Sequence, residues 1–459
     1  MSKKVQSMWY SVSRNRFYCM VILILIFAIF LSGCGVNASQ LADDTPIPET
    51  ALLTKSTPTP NPTPSPELIR EISVTQSPQV KPALSGTVTV WHSWAESELV
   101  GLQKVIGKFQ QKNPGVNVNL LYVPFDDLFS RLNSGAVVGR PDLVIGPSDW
   151  GPELFDAELV ADASTIAGPN LFEKIGNVAL DAVEYKNVAI GLPIAYNKGI
   201  VIFRNQSILP DAPRTFEEYL KEAKSKTRGD IVGAVIDLGF FQSGAFLAAC
   251  GGRLMDAQGA PLFDNAAGLC WIELLKSIQE SGLPVEINTN LDLERFRAGK
   301  VGFIIAGTWD AASLADSIGV DNLAIDPWPS FDNGDLSGFI ETDAVYMTTN
   351  VAQENQAASR TLARYFLSPG AQNTLANSET VAKIPTLIGV EIQDKVMREA
   401  LVAFEKGTPL PAIPAMDFYW DPMEEALRSI LSEGEDPGQA LKRAAIQIRI
   451  KENDIQFDE

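Results

Sequence analysis

From Gly86 onward, strand-like and helix-like patterns alternate, and this alternation limits the possible folds more than any other feature of the chain. Thr87-Val88-Thr89-Val90-Trp91 is a β-rich run. Leu99, Leu102, Ile106 and Phe109 come next at the three-to-four spacing of a helix. Asn113-Pro114-Gly115 supplies turn chemistry, Val116–Tyr122 alternates as a second strand, and Phe125–Leu132 reads as a short helix. Asp142-Leu143-Val144-Ile145-Gly146 is a third, apolar strand. The pattern then recurs: Ile231–Ile236 is strand-like, Asn265–Gln279 is an amphipathic helix, and a helix over Leu291–Ala298 precedes a buried strand at Val301–Ile305. Thr215-Phe216-Glu217-Glu218 has capping-box spacing. From about Asn355 the pattern is nearly all helical. Strands alternating with helices predict parallel α/β sheets, and two such units with a helical tail predict two lobes. No internal repeat of the kind that builds solenoids is present.

Ahead of this body stand two segments of different character. Lys3, Lys4, Arg14 and Arg16 precede an apolar run from Phe17 to Leu31, which is short for a membrane span and suits a secretory leader. Leu31-Ser32-Gly33-Cys34 then resembles a bacterial lipobox, which implies cleavage before Cys34 and lipid on its thiol. An uncleaved single-pass anchor is the other reading, and both place the body outside the cytoplasm, tied to a membrane. The expected organisation is a signal peptide over 1–33, a lipidated cysteine and tether over 34–85, and the globular body over 86–459. The tether includes Thr57-Pro58-Thr59-Pro60-Asn61-Pro62-Thr63-Pro64-Ser65-Pro66. Alternating proline fixes φ and removes donors, so this stretch favours polyproline II, and at ~3.1 Å per residue it spans ~30 Å.

Composition removes several function classes. The 459 residues carry a net charge of −19, and cleavage would remove four basic residues and no acid. Such a surface repels phosphate backbones and anionic headgroups, which excludes nucleic acid as a partner and leaves lipid as the anchor. The single histidine, His92, makes a His-rich metal site impossible and leaves Ser–His–Asp or Cys–His catalysis dependent on one residue. Cys250 and Cys270 are the only cysteines after Cys34. They are read either as small buried apolar residues or as a disulfide, which the compartment permits.

Five stretches, in order, resemble the extracellular solute-binding proteins of sugar ABC transporters, most of all the maltose/maltodextrin-binding type. They are Thr89-Val90-Trp91-His92-Ser93-Trp94; Pro141 through Trp150; Gly191-Leu192-Pro193-Ile194-Ala195-Tyr196-Asn197; Arg297 through Phe303 with Gly307-Thr308-Trp309; and Ile413 through Trp420. The resemblance implies a two-lobed periplasmic-binding-protein-like α/β fold, with hinge strands crossing near 193–197 and 338–343, and a ligand held between the lobes. It further implies a monomer that needs no cofactor or metal, binds a sugar, and delivers it to ABC permease subunits.

Physical chemistry agrees. Open α/β sheets bind ligands beyond the carboxyl ends of their strands. A sugar ring offers an apolar C–H face to aromatic side chains and a polar rim to carboxylates and hydroxyls. The candidate ligand-binding residues are Ser93, Trp94, Glu96, Asp149, Trp150, Phe241, Trp309, Glu341 and Trp420, with Trp309 and Trp420 placed by family position for stacking. Asp343 lies on the same crossing as Glu341. Trp271 and Trp328 read as core or loop packing, and His92 as packing or rim. Three positions depart from the maltodextrin pattern: Trp150 stands where Arg is frequent, Gly146 where Trp is common, and Gly239 where Glu is placed. The alternatives are a lipid-anchored glycosidase working with two carboxylates, a binder of another small solute such as a polyamine or organic acid, and a scaffold with a vestigial cleft.

Overall fold

The computed structural model describes residues 83–456, apart from 95, 135–139, 169 and 332–333. The leader, Cys34 and the proline-rich tether lie outside the described residues.

The body begins with three parallel strands, β1 (Ser85–His92), β2 (Gly115–Tyr122) and β3 (Leu143–Pro147), in the spatial order β2-β1-β3. Their crossovers are α1 (Glu96–Lys112) and α2 (Phe125–Asn133). Alternation in β1 turns Val88 and Val90 inward, where they meet Leu102, Ile106 and Phe109 of α1. β3 is buried along its whole length, as a parallel strand covered on both faces must be. A short 3₁₀ turn, Ser148–Trp150, leads from β3 into α3 (Gly151–Asp156).

The long strand β4 (Leu192–Asn205) joins the two lobes. The second lobe contributes α4 (Phe216–Lys226), β5 (Val232–Ala234), α5 (Phe240–Ser243) with its 3₁₀ continuation Gly244–Cys250, α6 (Ala266–Glu280), α7 (Leu291–Arg297), β6 (Val301–Gly307), α8 (Ala311–Ile318) and β7 (Leu323–Asp326). The chain then returns along β8 (Phe339–Met347). Residues Leu192–Gly199 of β4 pair with β8, and Ile200–Asn205 pair with β6 and β7. One strand therefore belongs to both lobes, and it changes partners between Gly199 and Ile200.

The expected parallel pairing is present among β1, β2 and β3 and between β5 and β6, and the crossing strands make the sheet as a whole mixed. β8 runs antiparallel to both β3 and β4, and β4 runs antiparallel to β6. The reason is topological: β4 and β8 carry the chain between the lobes in opposite directions, so they meet head to tail. β8 also shifts register on either side of Thr342–Asp343, which breaks the ladder where the chain crosses.

Local chemistry sets the second lobe's helices. The Thr215 hydroxyl accepts from the Glu218 amide, and the Glu218 carboxylate returns to the Thr215 amide, so the capping box forms. Asn265 caps α6 by accepting from the Ala267 and Gly268 amides. α6 buries Trp271, Ile272, Leu274, Leu275 and Ile278, each contributing about 1.5–3 kcal/mol if fully withdrawn from water. Trp271 and Trp328 are both core residues. Cys250 and Cys270 are half-buried and form a disulfide, Cα–Cα 5.9 Å, which settles that pair in favour of the bridge.

The tail consists of α9 (Gln353–Phe366), α10 (Pro369–Ala376), α11 (Lys395–Phe404), the two-residue β9 (Thr408–Pro409), α12 (Trp420–Glu433) and α13 (Pro437–Gln456). It is no separate appendix. In α10, Gln372 donates to Ile194 O at 2.7 Å, on the first-lobe part of β4. In α11, Glu399 accepts from the Ile325 amide of β7 at 2.9 Å. The Leu431 carbonyl of α12 accepts from Gln279 of α6 at 3.0 Å. The tail is thus divided between the two lobes. No described helix is long and apolar enough to cross a membrane.

Candidate functional site

The pairing register puts the carboxyl ends of β1, β2 and β3 at one edge of the first lobe, where His92 stands beside Tyr122 on one side and Ile145 on the other. In both lobes the site motif has the same construction. β3 runs into the 3₁₀ turn Ser148-Asp149-Trp150 and then α3; β6 runs into Thr308-Trp309-Asp310 and then α8. In each case a tryptophan ring folds back over a strand-end glycine. A Cβ on Gly146 would stand 2.7 Å from Trp150 Cε3, and one on Gly307 would stand 2.1 Å from Trp309 Cζ2. No real Cβ tolerates such contacts, so glycine is what lets each ring lie there. The Gly146 departure and the Trp150 departure are therefore one feature: the ring of Trp150 fills the space a side chain at 146 would need.

Three aromatic residues gather in the second lobe. Phe241 stacks on Trp309 with ring centroids 5.8 Å apart and planes 19° apart, and meets Trp420 edge-on at 5.6 Å. Phe240 lies behind, buried and 5.5 Å from Trp420. Trp309 is 39% exposed, so the cluster keeps aromatic surface open to solvent. The placement depends on α12, which starts with Trp420 and carries Glu424 one turn on. Glu424 accepts from the Phe240 amide at 2.8 Å. The same helix thus holds Trp420 and ties down the turn bearing Phe241.

The floor between these walls is charged. Glu341 on β8 pairs with Lys198 on β4 at 3.1 Å. The amide of Gly199, next along β4, donates to the Thr308 hydroxyl at 3.2 Å, one residue before Trp309. Asp149 reaches the same group from the first lobe. It is open to solvent, yet its carboxyl is pushed up to about 7 by loss of surrounding water, with the nearby Glu341 carboxylate adding to the shift and Lys198 opposing it. Burial likewise raises Glu341, against the pull of Lys198. Contacts and fields therefore run from Asp149 through Glu341 and Lys198 to Thr308, Trp309, Phe241 and Trp420.

Trp94, expected among the ligand-binding residues, does not join this line. It is 4% exposed, its Nε1 donates to Asp343 Oδ2 at 3.0 Å, and the Lys383 ammonium lies 4.5 Å from its ring centroid. A ring enclosed in this way has little face left for a ligand. Lys383 also reaches Glu98 at 2.6 Å, Asn197 at 3.4 Å and Asp343 at 3.4 Å. Burial works to lower the Lys383 pKa, but Asp343 and Glu98 prevail and raise it. Trp94, Asp343 and Lys383 form a buried brace beside the crossing strands. Ser93 is half-buried, and the Glu96 side chain lies outside the described residues. His92 is buried, 6.0 Å from the Tyr122 ring. Trp150 is half-buried and braced by Phe125 at 5.1 Å and Phe129 at 5.5 Å.

Sequence reasoning missed Lys198, Lys383, Glu424, Tyr122 and Phe125. A signal existed for one of them, Tyr122. Strand alternation holds from Val116 to Leu120 and then breaks at Leu121-Tyr122, both exposed. For the lysines and Glu424 there was none, since their partners lie far away in sequence. Among the described residues no group of His, Cys, Asp or Glu is arranged to hold a metal ion.

A two-lobed α/β body with aromatic and acidic residues converging at a strand crossing defines a binding protein of the extracellular solute-receptor class. The family model described as bacterial extracellular solute-binding protein matches residues 104–401, more than half of the chain, and the chain belongs to that family. It is similar to a galactooligosaccharide-binding protein of Bacillus subtilis, 23% identical over 393 residues, covering 81% of this chain and 90% of the relative. A maltotriose-binding protein of Pyrococcus abyssi is 27% identical over 253 residues, which is 53% of this chain and 54% of the relative's length. Among solved structures, an extracellular solute-binding protein from Staphylococcus aureus in complex with maltose matches with a TM-score of 0.72 at 20% identity, covering 82% of this chain and 99% of that one.

Proposed function

We propose that this protein is the sugar receptor of an ABC importer, binding an oligosaccharide between its lobes and passing it unaltered to a membrane permease. The observation that carries this is the Phe241–Trp309–Trp420 aromatic cluster beside the Asp149–Glu341–Lys198 floor. The aromatic faces suit the C–H face of a sugar ring, and the charged floor suits its hydroxyl rim. The relatives named for maltotriose and galactooligosaccharide, and the maltose-bound neighbour, support the same ligand class.

The ligand-binding set is Ser93, Asp149, Trp150, Phe241, Trp309, Glu341 and Trp420, joined by Lys198. The lobes turn about β4 near Gly199 and about the register shifts of β8. A ligand that touches both lobes gains contacts only in the closed form, and this differential contact shifts the population. Lipid on Cys34 and the proline-rich tether hold the receptor outside the cytoplasm, within reach of its permease, and raise its effective concentration there.

The glycosidase reading has less support than the receptor reading. Hydrolysis through two carboxyl groups calls for one raised and one ordinary pKa. No observation identifies Asp149 and Glu341 as such a pair, and the relatives named for maltotriose and galactooligosaccharide are binding proteins, which favours the receptor reading. The test is titration calorimetry of purified protein with malto- and galacto-oligosaccharides, followed by mass spectrometry of the recovered sugar. Binding with the sugar intact is expected, and Trp309→Ala and Trp420→Ala should each weaken it by about 1–3 kcal/mol, by analogy with base stacking on aromatics. Unchanged affinity in both variants would remove the site assignment, and cleaved sugar would revive the glycosidase.

A further inference from the structure

We infer that the first lobe carries an additional sugar subsite at Tyr122 and Phe125, which holds the outer ring of an oligosaccharide beyond the residues on the cleft floor. The inference rests on the sugar-receptor reading above, and it specifies the ligand as a chain long enough to overhang the first lobe.

The geometry starts from the strand ends. β1, β2 and β3 are parallel and finish at one edge, so Ser93, Tyr122 and the Asp149 turn all emerge on the ligand side of the sheet. β2 is the outermost strand of the sheet, and the residues from its end to the start of α2 form the lip of that edge. The lip is apolar where a solvated edge is ordinarily polar. Leu121 is 48% exposed, Tyr122 50% and Phe125 43%.

Core packing does not explain these side chains. α2 satisfies its own core with Leu128 and Leu132, both fully buried. Phe125 is the first residue of that helix, placed by Pro124, and stands outside the buried pair. Its ring is nevertheless held. It leans on Trp150 at a tilt of 38°, and Trp150 is fixed in turn by Phe129 and by the bare backbone of Gly146. A ring that is rigidly backed on one side and open on the other loses little entropy when a ligand stacks on it.

Position and size define the occupant. Trp150, which backs Phe125, directly succeeds Asp149, so the lip continues the floor without a gap in the chain. Neighbouring strand residues point to opposite faces, so Leu121 turns away from Tyr122. The two exposed rings of Tyr122 and Phe125 are too few for a stable protein interface, which needs about 800 Å² from each partner. They are enough for one pyranose ring. The acidic Asp126 and Asp127 of the first helical turn lie beside the aromatics and favour a neutral, hydroxyl-rich ligand over an anion.

The experiment is calorimetry of the purified protein with neutral oligosaccharides of two, three, four and five rings, in both the malto and the galacto series, comparing the unaltered protein with Phe125→Ala and Phe125→Trp. Phe125 is exposed, so its truncation leaves the core intact, and a thermal melt checks this. The expected result is a step in affinity at one particular chain length in the unaltered protein. Phe125→Ala should remove about fivefold or more of that step while binding the shorter sugars normally, and Phe125→Trp should retain it. Equal weakening at every length, or no weakening at any, overturns the subsite while leaving the receptor reading intact. Absence of all sugar binding in the unaltered protein overturns both together.

Discussion

Each tryptophan in this chain acquires its role from the atoms beneath its ring. Trp309 and Trp150 lie over Gly307 and Gly146, where any Cβ would collide with them. Trp94 is tied by its indole nitrogen to Asp343 and covered by Lys383. Trp271 donates to the Ser243 carbonyl at 3.0 Å inside the second lobe. The same side chain is thus a candidate stacking surface, a brace or a core residue, according to whether glycine, an ion pair or a helix lies under it. Gly307→Ala is the direct test at this scale. The added methyl must displace the Trp309 ring, so sugar affinity should fall by about 1–3 kcal/mol, close to the loss in Trp309→Ala. Combining the two changes should add little, because both remove one contact. Calorimetry on the single and double variants checks this, and full additivity would show that the ring is not what Gly307 protects.

At the scale of the element, the aromatic wall stands on a segment with little regular structure of its own. Phe240–Ser243 is a single helical turn, and Gly244–Cys250 is 3₁₀. Among the ties that hold this segment are three: Glu424 at the Phe240 amide, Trp271 at the Ser243 carbonyl, and the Cys250–Cys270 bridge. Two of the three come from adjacent positions on α6. The bridge spans a sequence separation of 20, for which loop-closure entropy alone predicts about 3 kcal/mol. The double variant Cys250→Ala with Cys270→Ala should lose about that much in denaturant melts. Its sugar affinity should fall less than in Trp309→Ala, because the hydrogen-bonded ties remain. A melt unchanged by the substitution would show that these ties already restrain the loop.

Across the whole molecule, poorly hydrated carboxylates set a slope of stability with pH. Loss of water pushes Asp149 up to about 7 and Asp237 up to about 6, from an ordinary 3.8. Asp237 is raised even though the Gly239 and Asn288 amides donate to it. Between the ordinary value and the raised one, the folded protein binds more protons than the unfolded chain. These two groups therefore contribute most below about pH 4, and their contribution is lost as pH rises through 6 and 7. In Asp149→Asn that part of the slope should vanish, so the variant's melting temperature should gain on the unaltered protein from pH 5 to pH 8. A constant difference across that range would show that Asp149 titrates as an ordinary carboxylate.

The sequence by itself determined the alternation of strands and helices, the capping box at Thr215, the core role of Trp271 and the family to which the chain belongs. These features rest on neighbours in the chain, on periodicity and on ordered motifs, all of which a linear reading contains. Only the tertiary structure decided that β4 and β8 cross in opposite directions and so make the sheet mixed, and that the tail is shared between the lobes. It also buried Trp94, joined Cys250 to Cys270, and brought Lys198 and Glu424 to the cleft. Each of these depends on contact between residues distant in sequence, and burial, pairing and hydration are properties of the surroundings rather than of the residue. Glycine at 146 looked like a missing aromatic until the ring of Trp150 was found in its place.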